Sequence, residues 1–333
     1  MLDSSLLLLL LIIALAIGFG IVNGFNDAAN AIAAAIGSRA LSPRNAVILA
    51  ASLNLVGAAT GMEVAKTIGK GILIPDAISY LTVVSALASV IIWGTVATYW
   101  GLPISITHSF VAGLAAAGIA VAGSEAIQWS VLQRVLSSVV AAPVLGFIGG
   151  FVLMVILLWV FRRSAPTRIR VIFSRLQWLT TAFLAYSHGK NDGQMPIGVI
   201  TMALVIYTGQ AVLWTQVPWW VIIVSALAIS SGTAIGGWRV IKTLGLQVTA
   251  LRPIHGFATQ VSAASVIEMA SYLGIPVSTT HCASSSIMGV GATRRFSAVR
   301  WGIAGNIAAA WILTFPICGG LGYLFAWLLS TTF

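Results

Sequence analysis

Two octapeptides, GLPISITH at Gly101 to His108 and GIPVSTTH at Gly274 to His281, carry the residues best placed to do chemistry. In each, a proline opens a helix whose first turn brings hydroxyl groups and a histidine. Proline pre-sets φ and needs no donor of its own, so the amides that follow are left without intrahelical partners. A helix start of this kind favours an anion by ~0.3–1 kcal/mol when exposed and by up to ~2 kcal/mol when partly buried. Ser105, Thr107, Ser278, Thr279 and Thr280 are therefore candidate anion ligands. His108 and His281, which end the clusters, are candidate proton relays or anion donors. The competing reading has the hydroxyls bonding back to their own helices or joining neighbouring ones. That reading explains one cluster readily and two matched copies poorly.

A second pair of stretches raises a different chemistry. NGFNDAANAIAAAIG (Asn23 to Gly37) and SHGKNDGQMPIGVI (Ser187 to Ile200) share an Asn-Asp pair, Asn26 with Asp27 and Asn191 with Asp192. Asn30 adds an amide in the first copy. A carboxylate at the centre of a bilayer costs at least ~2.5–3.5 kcal/mol on insertion scales, so such residues signal function. Carboxylate, amide and freed backbone oxygens suit Na⁺ at Asp27 and Asp192, while a carboxyl removed from water suits a proton. Asn26, Asp27, Asn30, Asn191 and Asp192 are the candidate coupling-cation residues, with no metal expected beyond that Na⁺. The alternative is an Asn-Asp cap on a hairpin helix at a membrane edge.

These polar islands sit in a sequence that is otherwise apolar. Of 333 residues 59% are hydrophobic and 7% charged, against roughly a quarter charged in a soluble domain. Apolar runs recur from Leu6 to Leu329 and are too long for the ~10-residue strands of an outer-membrane barrel. The expected fold is an all-α polytopic membrane protein with about 10–12 membrane segments, in the cell (inner or plasma) membrane. The net charge of +10 resides in short connections rather than in an aromatic-studded groove, so no nucleic-acid partner is expected. Cys282 and Cys318 lack ligand spacing and suggest neither a disulfide nor a metal site.

A third matched pair, GMEVAKTIG (Gly61 to Gly69) and GWRVIKTLG (Gly237 to Gly245), lies between the other two in each half. Three islands in one order make residues 1–161 and 176–333 two copies, joined by the basic linker 162–175. That linker, with Arg162, Arg163, Arg168 and Arg170, is placed in the cytoplasm; the turn holding Glu125 is placed outside. The loop after the second hydroxyl cluster carries Arg294 and Arg295, whereas the loop after the first carries none, so equivalent loops fall on opposite faces. An inverted repeat follows, with broken helices or re-entrant hairpins at both Asn-Asp and Pro-hydroxyl islands. Lys66 and Lys242 in the third island either steer anions or snorkel, and Glu268 awaits a basic partner.

On GFNDAANAIAAAIGS, HGKNDGQ, GLPISITH and GIPVSTTHCASSSIMGVGATRR, in that order, the chain resembles the inorganic phosphate transporter family over nearly its whole length, and within it the bacterial low-affinity permeases. The resemblance implies cation-coupled phosphate import, hairpins inserted from both sides, termini outside and often a homodimer. It places phosphate on Ser105, Thr107, Ser278, Thr279 and Thr280 and the cation near Asn26, Asp27, Asn191 and Asp192, with no cofactor. Ile106 stands where the family usually has Thr, NDGQMPIG lacks the second amide, and Asn54 and Gln260 stand where many members have glutamate. Those two replacements leave H⁺ at least as well supported as Na⁺.

Relatives of such a fold carry sulfate, which has no proton to give to Asp27 or Asp192; phosphate near neutrality still bears O–H groups, so two carboxylates favour phosphate. A neutral metal-phosphate complex is a further candidate cargo. Two other classes remain open, an anion channel and a membrane-embedded hydrolase using a Ser nucleophile with His108 or His281 as base.

Overall fold

The computed structural model describes residues 4–332, which form thirteen α-helices. In the first half these are α1 (Ser4–Gly37), α2 (Pro43–Ala58), α3 (Glu63–Lys70), α4 (Tyr80–Trp100), α5 (Ile106–Ala122) and α6 (Trp129–Val160). The second half has α7 (Pro166–Asp192), α8 (Gln194–Thr208), α9 (Trp219–Ile235), α10 (Trp238–Lys242), α11 (Pro253–Tyr272), α12 (Thr279–Ala292) and α13 (Trp301–Thr332). The order repeats once α7 and α8 are read together against α1. Two features mark the correspondence: α2 bends by 71° into α3 and α9 by 59° into α10, and α6 and α13 each run 32 residues around an internal proline, Pro143 and Pro316.

The first Asn-Asp island corrects the expectation of a broken helix, because α1 runs unbroken for 34 residues, about 51 Å. The residues after Asp27 are mostly alanine, the strongest helix former, and carry the helix on to Gly37. In the second copy Gly193 and Pro196 follow, and the proline ring opposes the carbonyl four residues back, at Asp192. There the helix stops at Asp192 and α8 begins at Gln194.

Both Pro-hydroxyl islands are turns between helices, from α4 to α5 and from α11 to α12. Gly101 (φ 72°) ends α4 and Gly274 (φ 66°) follows α11, each in the left-handed region that suits glycine. Four helices, α1, α4, α6 and α13, are long and apolar enough to cross a membrane alone, and the two bent pairs raise that to six. The outer faces of α6 and α13 expose Val140, Ile148, Val152, Ile312 and Leu324, an apolar surface fit for lipid.

The halves interlock instead of sitting side by side. The helix α5 packs on α13 while α12 packs on α6, and α2 packs on α7 while α9 packs on α1. Glycine pairs permit the closest of these crossings: a Cβ on Gly189 would lie 2.3 Å from the Asn54 carbonyl, and one on Gly24 would lie 2.2 Å from the Ile229 carbonyl. At about 48 Å, α6 carries the chain from one face of the molecule to the other. On the first face, the α3 end is tied to the turn before α6 through Gln128 Nε2, which donates to the Lys70 carbonyl at 3.0 Å. On the linker face, the Arg300 amide donates to the Val248 carbonyl at 2.9 Å, just beyond α10.

Candidate functional site

The first turns of α5 and α12 meet in the interior. Ser105 caps α5 by accepting the His108 amide at 3.1 Å, and Ser278 caps α12 by accepting the His281 amide at 3.1 Å. The Thr107 hydroxyl donates to the Val277 carbonyl at 3.5 Å, joining one helix start to the other. The His108 and His281 rings stand edge to face at 5.1 Å. His108 also stacks on Phe315 at 5.6 Å, and His281 lies 4.0 Å from Trp311. Among the described residues no hydrogen-bond partner reaches either ring nitrogen of His108.

Both aspartates turn toward the same helix start. Thr280 Oγ1 donates to Asp27 Oδ1 at 2.6 Å and accepts Asn30 Nδ2 at 2.6 Å. Thr279 Oγ1 donates to Asp192 Oδ2 at 3.0 Å. Every one of these side chains is at most 3% exposed. Adjacent hydroxyls of one helix start thus hold both carboxyl groups away from water.

The two motif asparagines act on the hairpins. Asn26 Nδ2 donates to Thr98 Oγ1 at 2.5 Å, its oxygen having no partner. Asn191 Nδ2 donates to the Val277 carbonyl at 2.8 Å and to Asp192 Oδ1 at 2.5 Å. Each amide next to an aspartate thus reaches a segment beside a Pro-hydroxyl island, Asn26 the end of α4 and Asn191 the turn before α12.

His188 is a site residue that sequence reasoning missed. It lies one helical turn before Asp192, and its Nε2 is 3.1 Å from Asp192 Oδ2. Its Nδ1 is 2.9 Å from Asn54 Oδ1. Asn54 Nδ2 donates to Thr233 Oγ1 at 2.8 Å, and the Thr233 hydroxyl donates its own proton to the Ile229 carbonyl at 2.9 Å. His188 thus joins Asp192 to Asn54 and, through it, to Thr233 of α9. An i, i+4 spacing to Asp192 was the available signal, but the lack of a counterpart in the first half hid it.

The remaining charges lie farther out. Glu268 pairs with Lys190, the lysine of the second Asn-Asp island. Lys66 pairs with Glu63 at 3.0 Å, and together with Lys70, Arg134 and Pro276 they line a cavity of about 320 Å³ beside the second hairpin tip. Lys242 is exposed at the end of α10.

A helical protein with several helices long and apolar enough to cross a membrane is of the integral membrane class. The sequence profile of the phosphate transporter family matches residues 23–322, and the chain belongs to that family. It is 39% identical over 336 residues to a probable low-affinity inorganic phosphate transporter of Bacillus subtilis (strain 168), covering 99% of this chain and all of that one. A protein of the same description from Rhizobium meliloti (strain 1021) is 39% identical over 319 residues, covering 94% and 95% of the two chains. Among solved structures, one described as the sodium-dependent phosphate transporter superposes with a TM-score of 0.90 at 26% identity, over 98% of this chain and 100% of its own. The protein is a transporter and not an enzyme, which sets the hydrolase alternative aside.

Proposed function

We propose that the protein imports inorganic phosphate across the cell membrane by proton symport and alternating access, holding the anion between the first turns of α5 and α12. The observation that carries this reading is that adjacent hydroxyls of one helix start, Thr280 and Thr279, donate to the buried carboxyl groups of Asp27 and Asp192. A phosphate oxygen would replace a carboxylate as acceptor for those hydroxyls and for the α5 and α12 amides. A phosphate O–H would donate to a carboxylate, a bond sulfate has no proton to make. Ser105, Thr107 and Ser278 complete the phosphate set. Asp27, Asp192 and His188 hold the coupling proton, with Asn26, Asn30 and Asn191 setting their positions.

The proton is favoured because His188 Nε2 and Asp192 Oδ2 stand 3.1 Å apart, a spacing at which the two can share one. Sodium is the second reading, supported by the description of the solved neighbour and by the oxygen donors of Asp27 and Asn30. Residues 1–161 and 176–333 act as inverted repeats, with α3 and the Glu125 turn outside and the linker 162–175 in the cytoplasm.

Uptake of labelled phosphate into proteoliposomes tests the whole reading. An inward proton gradient should drive accumulation without Na⁺, a tenfold excess of sulfate should compete poorly, and Asp27→Asn or Asp192→Asn should each abolish uptake while the protein still inserts. Accumulation that demands a Na⁺ gradient selects the sodium reading; conductance without counterflow would mean a channel.

A further inference from the structure

The third matched island has no part in holding phosphate, yet it repeats as faithfully as the others. Its shared threonines, Thr67 in α3 and Thr243 just after α10, make the same contact with opposite hairpins. Thr67 Oγ1 donates to the Gly274 carbonyl at 2.8 Å, across the first face. Thr243 Oγ1 donates to the Gly101 carbonyl at 2.9 Å, toward the linker face. Both acceptors belong to the left-handed glycines at the hairpin tips. The hydroxyl from each half therefore holds the tip contributed by the other.

Each threonine also has a second acceptor. Thr67 Oγ1 is 3.2 Å from the Glu63 carbonyl and Thr243 Oγ1 is 3.1 Å from the Arg239 carbonyl, each four residues back on its own chain. A hydroxyl released from the hairpin keeps a bond to its own backbone, so letting go strands no buried donor. Such a contact is strong enough to bias a position and weak enough to break in every cycle.

We infer that Thr67 and Thr243 are paired gate latches, Thr67 holding the second hairpin tip closed toward the outside and Thr243 holding the first closed toward the cytoplasm. Both are made here, and the residues they enclose are buried at both tips: Ile104 is 0% exposed and Val277 is 3% exposed. The inference rests on the alternating-access reading, in which each latch opens in turn. Thr67 and Thr243 are positioning residues, since neither touches the proposed phosphate ligands.

The test uses the full chain with Cys282→Ala and Cys318→Ala, one reporter at a time (Ile104→Cys or Val277→Cys), and a membrane-impermeant maleimide applied to right-side-out and inside-out vesicles. Thr67→Val should raise Val277→Cys labelling about two- to tenfold, the population shift from one lost hydrogen bond, from the outside only. Thr243→Val should do the same for Ile104→Cys from the cytoplasmic side only. Thr67→Ser and Thr243→Ser keep the hydroxyl and should restore slow labelling, which separates a latch from a general loosening. Unchanged labelling, or both variants opening toward one side, overturns the latches. Phosphate counterflow by the parent protein is measured in parallel: its absence would count against transport itself, while the labelling result still decides the gates.

Discussion

At the scale of the residue, the most informative group is one without a counterpart. Asp27 and Asp192 were legible in the sequence because a carboxylate in an apolar run is costly and needs a reason. The hydroxyls of Thr279 and Thr280 were legible because they recur after a proline. His188 was not, since only the fold brings it between Asp192 and Asn54, and a lone histidine in a helix has many ordinary uses. Its contact with Asp192 leads to a specific expectation. His188→Gln should keep phosphate exchange between the two sides of a vesicle, which moves no net proton, and should lose accumulation driven by a pH gradient. Loss of both activities together would give the histidine a structural role and remove it from coupling.

At the scale of the element, helix starts and helix crossings do the positioning. The alternation of helix, break and helix around Pro103 and Pro276 could be read from the residues, because proline and glycine act locally. The unbroken course of α1 past Asp27 could not, because the polar Asn-Asp pair suggested an interruption that the following alanines override. The contact between α2 and α7, which puts Asn54 beside His188, is invisible to any local pattern. It depends on Gly189, where a Cβ would fall 2.3 Å from the Asn54 carbonyl. Gly189→Ala should push α2 from α7 and lower thermal stability in detergent by about 1–3 kcal/mol, the range for an overpacked interior. A melting temperature equal to that of the parent would show that the crossing relaxes freely.

At the scale of the whole molecule, charge and symmetry matter more than any contact. Lys66, Lys70 and Arg134 gather at the rim of the cavity beside the second hairpin tip, where their field would raise the local concentration of a dianion. Changing all three to Gln should slow uptake from dilute phosphate about tenfold at ~0.01 M ionic strength, and hardly at all near ~1 M, where the Debye length shrinks to about 3 Å. A salt-independent defect would assign the cluster to packing instead.

The near-equal bonds at the two hairpin glycines, 2.8 Å and 2.9 Å, have a thermodynamic corollary. On the alternating-access reading the two fastenings are alike in chemistry, and, as in any secondary carrier, the electrochemical gradients alone set the direction of net flux.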